Sequence, residues 1–236
     1  MITTILFDLD GTLLPMDLDE FLRSYFHHIG SYFHDLIDTK EFMNYLGIAT
    51  EAMMNHSGET TNETVFMDTF FNLIKGDPRL YLKRFDSFYA NVFPKIQSSV
   101  GFSPVINDSV RLLKEKGYEL VVATNPLFPR PAIEHRIAWA GFQPNDFIHI
   151  TSYEYCHFSK PQKEYFLEIL RNIQRKPEEC LMVGNDVQDD LVAGDIDIKT
   201  FLITDHMIHR SEEDIPADYQ GSYEDFHAFV ENLPWL

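Results

Sequence analysis

Ile5-Leu6-Phe7-Asp8-Leu9-Asp10-Gly11-Thr12 is the stretch on which the reading of this chain turns. Ile5-Leu6-Phe7 is a short, wholly apolar run, as expected of a parallel strand buried on both faces. Side chains alternate along a strand, so Asp8 and Asp10 share one side where it ends. Gly11 permits a sharp exit from the strand. Two carboxylates this close are costly unless a cation pairs them, and a hard, oxygen-seeking ion such as Mg²⁺ suits them best.

The rest of the chain sets the frame for that motif. With 236 residues, 44% of them hydrophobic and 24% charged, it is long enough for one full domain plus an insertion. A formal net charge of −18 repels nucleic acid and anionic membrane at long range. It equally repels an anionic substrate, so a phosphate site here needs local help from a metal, a lysine or backbone N–H groups. The two cysteines, Cys156 and Cys180, make no disulfide framework and no Cys-x-x-Cys motif, and Cys180 reads as a small core residue. No signal segment and no run of 18 apolar residues is present, so the expected location is the cytoplasm, without membrane contact. Nothing in the sequence sets an oligomeric state.

Apolar runs at 2–7, 119–123, 147–151, 180–183 and 200–203 read as five strands. A helix between two of them is announced by Ser103 as N-cap, Pro104 at its first position and Gly117 at its end. A second is expected from Pro161 to about Gln174. Strands alternating with helices give an α/β fold with a doubly wound parallel sheet, which binds its ligands at the carboxyl ends of the strands. Residues 15–98 break this rhythm with four helical patterns, near 17–29, 39–55, 62–75 and 79–93. Phe21, Leu22, Tyr25, Phe26 and Ile29, and likewise Val65, Phe66, Thr69, Phe70 and Leu73, follow helical spacing. Some 80 residues far exceed a loop. The expected organisation is therefore an α/β core of residues 1–14 and 99–236 and an inserted all-helical domain of residues 15–98.

Three more strand ends carry useful groups. Val121-Val122-Ala123 runs into Thr124 and Asn125, a hydroxyl followed by a free backbone N–H. Ser159-Lys160-Pro161 places an ammonium just before a helix start. Leu181-Met182-Val183-Gly184 runs into Asn185, Asp186, Asp189 and Asp190, repeating the logic of the first motif.

An Asp-x-Asp pair, a threonine, a lysine and an acidic cluster, in this order, resemble the four motifs of the haloacid dehalogenase-like hydrolase superfamily. The resemblance covers residues 1–14 and about 99–205, and an insertion directly after the first motif is similar to members with a helical cap on a Rossmann-like core. It implies a Mg²⁺-dependent phosphatase acting on a small phosphorylated metabolite. On that resemblance Asp8 is the nucleophile that becomes an aspartyl-phosphate, and Asp10 is the general acid and base. Thr124 and the Asn125 N–H hold phosphoryl oxygens, while Lys160 stabilises Asp8 and the developing charge. Mg²⁺ is held by Asp8 and the Asp10 main-chain carbonyl. Members of the family usually carry Gly-Asp at the fourth strand end, with that Asp on the metal. Here Gly184 is followed by Asn185, so Asp186 is the favoured ligand with Asn185 next, and Asp190 is a supporting residue near Lys160. Asp189 is expected in solvent.

Other uses of the scaffold are a phosphomutase, a dehalogenase, a phosphonate hydrolase and a non-catalytic binding protein. A dehalogenase needs neither Asp10 nor an acidic fourth motif. A phosphonate hydrolase needs a cap lysine, and Lys40, Lys75 and Lys83 lack a telling context. A mutase would use the same residues, and a binding protein would be expected to have lost the nucleophile. Ten histidines, among them His27, His28, His34, His206 and His209, form no zinc motif. The Phe, Tyr and Met stripes of the insertion read chiefly as core, and their abundance suggests a partly apolar substrate entrance. Met16 and Asp17, and Phe128 and Arg130, follow the first two motifs and could line it; Arg130 otherwise reads as a surface arginine.

Overall fold

The structure is a computed structural model that describes residues 1–236. Six strands, β1 (Thr4–Phe7), β2 (Glu119–Val122), β3 (His149–Ile150), β4 (Cys180–Gly184), β5 (Lys199–Ile203) and β6 (Tyr219–Gly221), form one parallel sheet in the order β3-β2-β1-β4-β5-β6. Eight α-helices accompany them: α1 (Leu18–Phe33), α2 (Thr39–Asn55), α3 (Asn62–Leu73), α4 (Pro78–Asn91), α5 (Pro104–Glu115), α6 (Arg130–Trp139), α7 (Lys163–Ile173) and α8 (Tyr223–Asn232).

Strand β1 lies between β2 and β4, and Phe7 is level with both Val122 and Val183. The chain therefore leaves the sheet side by side at Asp8, Ala123 and Gly184. This is the point where strand order reverses, which opens a crevice at the carboxyl ends. The two faces of β1 obey the period of two. Leu6 packs with Val121, Met182, Tyr165 and Phe166 under α7, while Ile5 and Phe7 join Val122, Val183 and the α8 residue Phe226 on the other side. Cys180 is buried in the Leu6 cluster, as a small core residue should be.

Helices α1 to α4 fill the interval between β1 and α5. Their starts are set by local chemistry: the side chains of Asp17, Asp38, Thr61 and Asp77 each accept a hydrogen bond from a backbone N–H of the first turn. The high aromatic content finds its use here. Phe33 stacks on Phe42 with ring centres 4.4 Å apart, and Phe70 meets Phe42 and Phe85 edge-on at 5.9 and 5.5 Å. Burying each such ring is worth about 2–3 kcal/mol. The aromatic network does not stop at the insertion: Tyr25 packs on Phe128 at 5.2 Å, and Phe93 stacks on Trp139 of α6 at 5.4 Å. The two connecting strands of the insertion run together, with Met16 bridged to Val100 and the Gly101 N–H donating to the Pro15 carbonyl at 2.7 Å.

Several expectations need correction. β3 has only two residues instead of five, because it is an edge strand that pairs on one side alone. β6 is a mostly exposed Tyr-Gln-Gly edge with no apolar run to announce it. Helix α7 begins at Lys163 instead of Pro161, since a turn closed by the Gln162 N–H on the Ser159 carbonyl comes first. Phe26, part of the helical stripe of α1, is 44% exposed. No helix is long and apolar enough to cross a membrane.

Candidate active site

Asp8 is the first residue beyond β1 and is fixed by its own N–H, which donates to the Val183 carbonyl at 2.9 Å. Its side chain is almost wholly buried and meets Lys160, whose ammonium donates to Asp8 Oδ1 at 2.8 Å and to Asp190 Oδ1 at 2.6 Å. Burial pushes the Asp8 carboxyl up to about 8; Lys160 counters this, while Asp190 and Asp10 add to it. Burial also works against the Lys160 charge, yet Asp190 and Asp8 hold its pKa well above the ordinary lysine value. Asp8 and Asp190 thus share one ammonium, with Asp10 close by.

Asp190 reaches Lys160 because Gly184 has no side chain: a Cβ there would lie 2.1 Å from Asp190 Oδ2. Asp190 Oδ2 also accepts from the Asp186 N–H at 2.9 Å, which locks the loop after β4. These contacts bring together Asp8, Lys160 and Asp190 from places 30 and 152 residues apart in the sequence.

Asp10 has a partner that the sequence did not announce. Arg136 of α6, fully buried, donates from Nη1 to Asp10 Oδ2. Its guanidinium lies 4.5 Å from the centre of the Phe128 ring and 5.9 Å from that of Phe21. Burial raises the pKa of Asp10, against the opposing pull of Arg136 and Lys160. One signal could have found Arg136: a charged residue among Ala132, Ile133 and Ile137 on the buried face of a helix. Arg130, in contrast, pairs with Glu134 at 2.8 Å and with the Ile150 carbonyl, at the edge of the sheet.

The groups expected to meet an anion lie on the same ends. Thr124 is buried, its carbonyl held by Thr151 Oγ1 at 2.7 Å and Tyr165 OH at 2.8 Å. The backbone N–H groups of Leu9, Asp10 and Asn125 have no acceptor within the chain, a cradle of donors suited to an anion. Those of Leu9 and Asp10 escaped sequence reading, because only the observed turn, with the Gly11 N–H bonded to Leu14, shows them left over.

The fourth strand end divides its two candidates. Asp186 is held by Nη1 and Nη2 of Arg210 and accepts from the N–H groups of Gln188 and Asp189. Asn185 instead accepts from Thr12 Oγ1 at 3.1 Å and donates to the His206 carbonyl at 2.7 Å. Asn185 shares with Asp10, Met16, Asp17 and Arg210 a cavity of about 420 Å³. Asp189, expected in solvent, has a side chain only 25% exposed, with Arg210 Nη1 3.8 Å from its Oδ1.

No three His, Cys, Asp or Glu side chains converge as a ready metal cluster. A hard cation nevertheless fits the donors that are present. The Asp10 carbonyl accepts no hydrogen bond, Asp8 Oδ2 is outside the Lys160 contact, and Asp10 Oδ1 is buried without a partner. All are oxygens, the donor type a hard cation takes.

Residues 5–203 match the family model for haloacid dehalogenase-like hydrolases. The chain belongs to this family. It is a hydrolase with the family's Rossmann-like sheet. It is similar to the pyrophosphatase PpaX of Anoxybacillus flavithermus, 26% identical over 82% of this chain and 79% of that protein. Its fold is similar to that of a HAD phosphatase from Thermococcus onnurineus, with a TM-score of 0.62, 16% identity and the full length of both chains covered. It is also similar to that of a protein described as a predicted phosphoglycolate phosphatase from Haemophilus somnus, with a TM-score of 0.60, 18% identity and 97% and 98% of the two chains covered. At these identities the structural likeness speaks for the fold.

Proposed function

We propose that this hydrolase is a Mg²⁺-dependent phosphatase that cleaves a small phosphorylated metabolite through an aspartyl-phosphate on Asp8. The observation that carries this reading is the buried Asp8–Lys160–Asp190 group, with Asp10 two residues along the same strand end. An Asp8 oxygen attacks phosphorus in line, the bond from phosphorus to the leaving oxygen breaks, and Asp10 gives that oxygen its proton. Asp10 then takes a proton from water as the water attacks the phosphorus of the acyl-phosphate, which frees phosphate and Asp8. Arg136 holds Asp10 in place for both transfers. Thr124, the backbone N–H groups of Leu9, Asp10 and Asn125, and Lys160 meet the phosphoryl oxygens, which supplies the positioning and charge stabilisation that phosphoryl transfer needs.

Mg²⁺, when bound, would neutralise charge between Asp8 and the phosphoryl group, held by Asp8, the Asp10 carbonyl and a side chain after β4. The Arg210 contact on Asp186 supports Asn185 as that side chain. Residues 15–98 serve as a cap that opens about 14–17 and 97–103, the two segments joined by the Met16–Val100 bridge. Two free, buried cysteines accord with the reducing cytoplasm.

Phosphate release from a panel of phosphomonoesters, with Mg²⁺ and with EDTA, tests the reading. Turnover is expected only with the metal, and Asp8→Asn is expected to lower it about 10⁴-fold or more. Activity that survives in Asp8→Asn would remove the nucleophile assignment. Equal rates in EDTA would remove the metal.

A further inference from the structure

One buried side chain of the inserted helices reaches the two loops that carry Asn125 and Lys160. Asn62, the first residue of α3, is wholly buried. Its Nδ2 donates to Ser159 Oγ at 3.1 Å, to the Pro126 carbonyl at 3.3 Å and to the Phe158 carbonyl at 3.4 Å. Pro126 directly follows Asn125, and Ser159 directly precedes Lys160. His56 sets the amide the right way round. The Gly58 N–H donates to His56 Nδ1 at 3.2 Å, so the ring proton is on Nε2, which donates to Asn62 Oδ1 at 2.8 Å.

The backbone makes the same junction. The first N–H groups of a helix lack partners within it; those of Asn62 and Glu63 donate to the Cys156 and Tyr153 carbonyls, both at 2.8 Å. The Met54 carbonyl, in the last turn of α2, accepts from Gln162 Nε2 at 2.8 Å. Between them Gly58, at φ +80°, lies against the Phe158 ring, where a Cβ would be 2.2 Å from a ring carbon. The turn from α2 to α3 is thus seated on the segment that contains Lys160. Without it the two loops hold each other weakly: the contact between residues 124–127 and 158–160 is Asn125 Nδ2 donating to the Lys160 carbonyl at 3.5 Å.

Resting on the phosphatase reading, we infer that Asn62 is a positioning residue for the reaction, one that fixes the Asn125 turn and the Lys160 segment relative to each other only while α2 and α3 are docked. Lifting α3 breaks its bonds together and leaves an amide and several carbonyls buried without partners, which disfavours half-docked states. Docking of these helices and assembly of the phosphoryl site are therefore one event.

Hydrogen exchange read by mass spectrometry on the full chain follows docking without any turnover. Asn62→Ala is expected to raise exchange at least about fivefold in residues 124–128 and 152–162 together, while β1, β4 and the ring cluster around Phe42 and Phe70 keep theirs. On the best phosphomonoester of a panel, with Mg²⁺, its kcat is expected to fall about 10–100-fold with KM changed less than about threefold. Gln162→Ala removes one docking bond and no group of the site, and is expected to move the same segments and kcat the same way by about 2–5-fold; it carries the test alone if Asn62→Ala does not fold. Unchanged exchange in the two loops, exchange that rises equally throughout the chain, or loosened loops with wild-type kcat would each overturn the inference. If the unsubstituted protein turns over no ester while exchange follows the expected pattern, the inference falls through its premise, the phosphatase reading, and not through the docking.

Discussion

The crevice at the ends of β1, β2 and β4 and the cavity of about 730 Å³ lined by α1 to α4 are separated by Phe128 and Arg136, and they are made of opposite materials. The crevice concentrates Asp8, Asp10, Asp186 and Asp190 against Lys160, Arg136 and Arg210, each charge fixed by a partner of opposite sign. The cavity is built from rings held by their neighbours, with one tyrosine pair, Tyr25 and Tyr89, hydrogen-bonded at 2.9 Å. In the crevice, positions are set by strand register and a few hydrogen bonds, so single atoms matter. In the cavity, shape is the sum of many contacts, so one ring can change with graded loss.

Substitutions can break this contrast, and the largest effect belongs to the crevice. Lys160→Met removes the shared partner of Asp8 and Asp190 and leaves two buried carboxylates facing each other. It is expected to lower kcat by about 10²–10³ and stability by about 3–5 kcal/mol. A methionine variant with wild-type turnover would show that the ammonium is structural only. Phe70→Ala, in the centre of the cap rings, is expected to cost about 3–5 kcal/mol of stability in urea unfolding while kcat changes less than threefold. A loss of kcat as large as that of Lys160→Met would erase the division between the two regions. Tyr25→Phe removes only the Tyr25–Tyr89 hydrogen bond and is expected to cost about 1 kcal/mol. A larger loss would mean that the tyrosine pair orders the cavity wall beside Arg136.

The alternation of five apolar runs with helices was legible in the sequence, and so were the cap helices, whose Asp17, Asp38, Thr61 and Asp77 caps and aromatic periodicity are local signals. The edges of the sheet were read less well: residues 147–151 announced β3, but only two of them pair, and β6 leans on one neighbour without any apolar pattern of its own. Helix α6 begins with Arg-Pro and mixes charged with apolar residues, which hides its amphipathic face.

By itself the sequence determined which candidate residues stand at strand ends or before a helix start: Asp8 and Asp10 two apart, Thr124, Lys160 and the acids after Gly184. Strand geometry has a period of two and helix starts have caps, and both are read within a few residues. Only the tertiary structure decided the rest. It brought Arg136 to Asp10 across 126 residues and Arg210 to Asp186 across 24, and it left Leu9 and Asp10 with free N–H groups. It also shaped an aromatic cavity among α1 to α4. Ion pairs and cavities depend on which surfaces meet in space, and no local spacing records that.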